Sequence, residues 1–146
     1  MSKINLKRML LGGVVAGIVF LVLGFASYFF YLGDEWKAVM EDLGYPIVET
    51  AGMYVFSIIV CFVIGILAVW LYAAIRPRFG AGPKTAFLAG FVFWILSGLF
   101  AYISFGTTGM FPVNLLIIDC LIYLVTVIVA TLLGAWVYRE ETHQGG

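Results

Sequence analysis

Between Thr85 and Tyr138 the chain carries a single charged side chain, Asp119. It sits in a long apolar run, and an ionisable group in such a place is a candidate functional residue because charge is costly in hydrocarbon. Asn114, Tyr123 and Ser104 are the nearby groups expected to share hydrogen bonds with it. Two readings are open. Asp119 is an interfacial carboxylate near a helix N-terminus, where the macrodipole favours negative charge; or it is a proton or cation site, or a ligand to a partner's cofactor. Other chemistry is sparse. The one histidine, His143, lies in the C-terminal tail, so a haem held by two histidines and a Ser–His–Asp triad are both excluded for this chain alone. Zinc lacks its ligands. Cys61 and Cys120 sit in apolar runs as small hydrophobes and imply no disulfide framework. No cofactor, metal or catalytic residue is expected, and the chain does not read as an enzyme.

The elements that must hold Asp119 are set by composition. Of 146 residues, 64% are hydrophobic and 11% charged, against about 25% charged in a soluble domain. A core this small cannot hide that apolar excess, so lipid must cover it. A span needs about 20 apolar residues at 1.5 Å rise per residue. Uncharged runs of that length place helices at about 9–32, 51–75, 85–105 and 115–138. The third ends near Phe105 because Gly106, Gly109, Pro112 and Asn114 interrupt the run. The expected fold is all-α, a single transmembrane domain over 1–146 forming a four-helix bundle. The first apolar run is too long for a signal peptide and reads as an uncleaved anchor. A β-barrel would show short alternating segments instead.

Seven of the eight basic residues fall on one face of this arrangement: Lys3, Lys7, Arg8, Arg76, Arg78, Lys84 and Arg139. Basic residues in short loops stay cytoplasmic, so both termini are expected inside. The opposite loop holds Asp34, Glu35, Glu41, Asp42 and Glu49 against Lys37. Tyr28–Tyr31 close helix 1 outside; Trp70 with Tyr72, and Trp136 with Tyr138, close helices 2 and 4 inside as headgroup-level anchors.

Apolar helices associate in lipid through small residues that let backbones approach. Each helix has such a stripe: Gly13, Gly17 and Gly24; Ser57, Cys61 and Gly65; Ala86 and Gly90; Ala130 and Gly134. These are expected to face inward, although the stripe on helix 1 could equally dock a partner helix. The two hairpins also look alike. Ala68-Val69-Trp70-Leu71-Tyr72 matches Gly134-Ala135-Trp136-Val137-Tyr138, and Ala16-Gly17-Ile18-Val19-Phe20 matches Ala89-Gly90-Phe91-Val92-Phe93. A second register pairs Lys7 with Lys84 and Gly13 with Gly90. Either a repeat or convergent membrane composition accounts for this.

In the outer loop, Trp36, Val39, Met40 and Leu43 recur on one helical face. An amphipathic helix over about 35–43, capped by Asp34 and Gly44, is expected to lie flat on the outer surface. In the inner loop, Pro77, Gly80, Gly82 and Pro83 should end helix 2 and set the approach of helix 3. Arg76, Arg78 and Lys84 there can meet anionic headgroups. No phosphate-loop pattern is present.

The segment Leu71-Tyr72-Ala73-Ala74-Ile75-Arg76-Pro77-Arg78-Phe79-Gly80, followed by Gly82-Pro83-Lys84-Thr85-Ala86, resembles the signature of small four-span bacterial membrane proteins of uncharacterised role. The Gly-rich helix 1 and the Gly134-Ala135-Trp136-Val137-Tyr138-Arg139 ending extend the likeness over most of the chain. The resemblance implies a bacterial inner (cytoplasmic) membrane protein and no particular activity. The sparse chemistry and the many packing stripes favour a non-catalytic structural or accessory subunit of a larger membrane assembly. Its expected partners are the bilayer and other membrane subunits or further copies of itself, without nucleic acid. The alternatives are a small oligomeric transporter or channel using Asp119, and a lipid- or pigment-binding membrane protein.

Overall fold

The computed structural model describes residues 4–138, all helix, turn or coil with no strand among them. Lys3, Arg139 and His143 lie outside the described residues. Helix α1 spans Leu6–Asp42, α2 Ala51–Phe79, α3 Pro83–Thr107 and α4 Val113–Val137, and each is long and apolar enough to cross a membrane. The chain is an all-α, multi-pass, four-helix membrane protein. Short links make it run up, down, up and down, so α1 begins and α4 finishes at one end, here the near end. The links 43–50 and 108–112 lie at the far end. Helix α1 lies between α2 and α4, and α3 packs on the other side of the same two helices.

Local sequence explains most boundaries. The Asn5 side chain accepts the Arg8 amide at 3.1 Å and starts α1; Thr50 does the same for Met53 at 3.3 Å and starts α2. Pro83 sits in the first turn of α3, where its missing N–H costs nothing. Glycines at positive φ stop α1 at Gly44 (+81°) and α2 at Gly80 (+86°).

Two boundaries depart from expectation. Pro77 does not end α2, which continues to Phe79. A proline in the last turn removes only its own bond to the carbonyl one turn back, so the helix survives until Gly80. Nor is the segment over about 35–43 a separate helix lying on the surface. It continues α1 as Gly33–Asp42 through a π-turn at Tyr28–Leu32. Asp34 therefore caps nothing: the backbone is already helical at Leu32 and Gly33.

The helices meet most closely in the near half. A Cβ on Gly65 of α2 would stand 2.6 Å from the Gly13 carbonyl oxygen, and one on Gly13 would stand 2.7 Å from the Ile66 Cα. A Cβ on Gly12 of α1 would reach the Gly134 carbonyl oxygen of α4 at 2.5 Å. Only glycine permits these backbone approaches. Ala68, Val69, Ala86, Ala89, Val127 and Ala130 fill the centre with almost no exposed surface.

The hairpin likeness has one counterpart in space. A Cβ on Gly17 would meet Phe62 Cα at 2.9 Å, and one on Gly90, its match in the Ala-Gly-x-Val-Phe alignment, would meet Ile128 Cα at 3.3 Å. Phe62 and Ile128 fall opposite one another when Trp70 is laid on Trp136. The second register fails this comparison, because Gly13 faces Ile66. The far halves do not match, since the π-turns of α1 and α3 fall at different places.

At the near end, Trp70 and Trp136 face outward, but Tyr72 and Tyr138 are buried. Their rings meet edge to face at 6.1 Å. The tyrosines are thus packing groups rather than the headgroup anchors the sequence suggested. The Tyr72 hydroxyl accepts the Gly82 amide at 3.3 Å and fixes the Arg-Pro-Gly turn.

Candidate functional site

The small-residue stripes are not used along their full length. Gly13, Gly17, Gly65, Gly90 and Gly134 are buried at helix crossings, with Ala86 and Ala130 in the core. Gly24 has open space where a Cβ would go, Ser57 is exposed, and Cys61 is half-buried. Helix α2 is exposed over most of Ala51–Ile59, its far-end turns. The helices therefore separate toward the far end. They leave an apolar groove of about 310 Å3 between α1 and α2, lined by Gly24, Phe25, Met53, Tyr54, Ser57 and Cys61 among others.

Asp119 lies in this looser half, six residues into α4 and about 9 Å along its axis. Its Oδ2 accepts the indole N–H of Trp36 at 3.0 Å. The Tyr102 hydroxyl of α3 is within hydrogen-bonding reach as well. Of the partners expected from sequence, Asn114 and Ser104 are exposed, and neither bonds it. Tyr123 is beside it in the same cavities, but its hydroxyl is 2.9 Å from Ser97. Trp36 and Tyr102 were invisible to a local reading, because Trp36 is 83 residues away. The one signal in the sequence was that the Trp36 face of the far-end helix needed something to cover.

The π-turns make this convergence possible. Each inserts a residue, which rotates the rest of the helix by about 100°. The turn at Tyr28–Leu32 precedes Trp36 by one helical turn. From its crossing with Gly134, α1 runs about 36 Å from Gly12 to Trp36, while α4 runs about 22 Å from Gly134 to Asp119. So α1 does not run straight beside α4 but leans over the far end, and π-turns are a known place for helices to bend. The second π-turn, Ile95–Leu99, contains Ser97 and Gly98. A Cβ on Gly98 would stand 2.6 Å from the Tyr123 ring, so glycine lets that ring dock while Ser97 holds its hydroxyl.

Two cavities meet at Asp119. One, of about 320 Å3, is bounded by Trp36, Ser97, Tyr102, Phe105 and Tyr123. The other, of about 330 Å3, is bounded by Phe20, Tyr28, Leu32, Cys61, Trp36 and Tyr123. Phe111 braces Trp36 edge to face at 5.6 Å.

A second polar cluster, centred on Glu49 of the far-end link, ties α1 to α2. Its carboxylate accepts Tyr54 at 2.6 Å and Tyr28 at 3.0 Å and pairs with Lys37 at 2.5 Å. Those three partners, Lys37 first, hold its carboxyl well below the usual range, at about 2. Lys37 also lies over the Tyr28 ring, 5.8 Å from its centre.

At the near end, Arg76 turns its guanidinium over the Tyr138 ring at 5.6 Å, while Arg78 and Lys84 are exposed. Among the described residues, no group of three or more His, Cys, Asp and Glu side chains is placed to hold a metal ion. Cys61 and Cys120 are free thiols. In comparisons with protein families, curated proteins and solved structures, no match to this chain is found.

Proposed function

We propose that this chain is a non-catalytic accessory subunit of a larger assembly in a bacterial inner membrane, both termini facing the cytoplasm. The groove between α1 and α2 is the observation that carries the reading. On α1 and α2 half of the small-residue stripe is consumed by internal packing, and the remainder, Gly24, Ser57 and Cys61, borders an open groove beside exposed turns of α2. Small residues beside apolar rims are what a transmembrane helix of another chain docks against. The Ser57 hydroxyl bonds back to the Met53 carbonyl at 2.9 Å and leaves a smooth surface for such a helix. Orientation rests on the basic residues: among the described ones, Lys7, Arg8, Arg76, Arg78 and Lys84 lie at the near end and Lys37 at the far end. The likeness to small four-span bacterial membrane proteins, carried by the Leu71–Gly80 segment, supports the location.

A photo-crosslinking side chain placed at Ser57 or Met53 tests the groove in intact membranes. The expected outcome is one adduct of the same mass from both positions and none from Phe87, which is exposed elsewhere on α3. Equal adducts from all three positions, or lipid adducts alone from the groove, would overturn the docking role.

A further inference from the structure

We infer that the far-end cleft around Asp119 is a binding site for an organic cation with an apolar body, such as a tertiary or quaternary amine. The inference does not need a partner helix: the second cavity reaches the subunit groove at Gly24, Tyr28 and Cys61, but Asp119 and the cavity toward Tyr102 lie outside that groove.

A carboxylate inside a membrane protein needs compensation, because hydrocarbon offers none. Among the described residues, the groups bearing on Asp119 are two hydrogen-bond donors, Trp36 and Tyr102, and no basic side chain. An indole N–H can only donate, so the oxygen it meets must present a lone pair. Lys37, the cation of the same helical extension, is turned instead to Glu49 and Tyr28. The site thus holds an acceptor with room beside it and no internal counter-charge.

The walls decide which counter-charge fits. A calcium or magnesium ion takes six or more oxygens, and this cleft offers mostly rings. Trp36, Tyr102, Phe105 and Tyr123 line one side and Phe20 and Tyr28 the other. Aromatic faces attract cations, most strongly where water is excluded, and cages of them recognise quaternary ammonium groups. The two cavities share Trp36, Ile64, Asp119 and Tyr123, so a head at Asp119 can extend its apolar body to either side. Each is about as large as the smaller ligand pockets, which begin at about 300 Å3. One π-turn borders each cavity, and such turns recur at functional sites.

The test uses the full chain in dodecyl maltoside micelles, which carry no ammonium group, and radiolabelled benzyltrimethylammonium, by equilibrium dialysis. Saturable binding near one per chain is expected. Neopentylbenzene, the same shape with carbon in place of the charged nitrogen, is expected to partition without saturating. Asp119→Asn is expected to weaken cation binding about tenfold or more, the scale of one lost ionic contact. Trp36→Phe keeps the ring and is expected to retain most of it. Two results would overturn the site: neopentylbenzene saturating as well as the cation, or a folded Asp119→Asn protein binding the cation like the wild type. If Asp119→Asn does not fold, the charged and neutral probes on the wild-type protein decide alone.

Discussion

Glu49 shows how much a single exposed residue can organise. Three side chains converge on its carboxylate, from the π-turn and extension of α1 and the first turn of α2. Its carboxyl is held at about 2, against an ordinary value of 4.5. A carboxyl depressed by folding contributes stability that is complete above its unfolded value and is lost as pH falls through its folded one. The link between α1 and α2 is therefore expected to weaken between about pH 4.5 and pH 2. Carbon-13 NMR of the Glu49 carboxyl across that range should give a midpoint near 2; a midpoint near 4.5 would mean the cluster does not form. Residues like these were only half legible in the sequence. Asp119 stood out because nothing else in its span is charged. Its real partners did not, because helical spacing points to neighbours one turn away and Trp36 arrives from another helix. Glu49 read as one more acid in an acidic loop, since nothing local marks which carboxylate will face Lys37, Tyr28 and Tyr54.

Helices were the most legible level, for a simple reason: an uncharged run long enough to span a bilayer must satisfy its own backbone hydrogen bonds. All four spans come from that requirement. What escaped was continuity. The passage from Phe30 to Asp34 changes from aromatic to acidic and looks like a boundary, yet the backbone continues through a π-turn, which has no clear sequence mark. The stripes were visible, but their depth of use was not, because spacing reports a face and not the distance to the next helix. That distinction predicts opposite behaviour for two glycines. Gly65→Ala must push the α1 backbone away, and overpacking of this kind costs about 1–3 kcal/mol. Gly24→Ala meets open space and gains helix propensity, so it should be neutral or stabilising by up to about 1 kcal/mol. Thermal unfolding in one mild detergent compares them directly. Equal effects would mean that α1 and α2 do not cross in backbone contact.

The whole molecule divides into a tight near half and an open far half. Gly12, Gly13, Gly65 and Gly134 draw α1, α2 and α4 together, and the buried Tyr72–Tyr138 pair closes their ends. Beyond Phe20 the helices part, and three polar clusters lie where they do: Asp119 with Trp36 and Tyr102, Ser97 with Tyr123, and Glu49 with its three partners. A tightly packed base under an open far half is the arrangement on which the proposed accessory role rests. Composition alone required lipid around this chain, but no feature of a single sequence says which exposed apolar face meets lipid and which meets protein. The most direct measurement of the accessory role is native mass spectrometry of the full chain released from its own membranes in mild detergent. The accessory role predicts a complex in which a different membrane protein accompanies this chain at a fixed ratio. A clean monomer, or an assembly built only of copies of this chain, would contradict it.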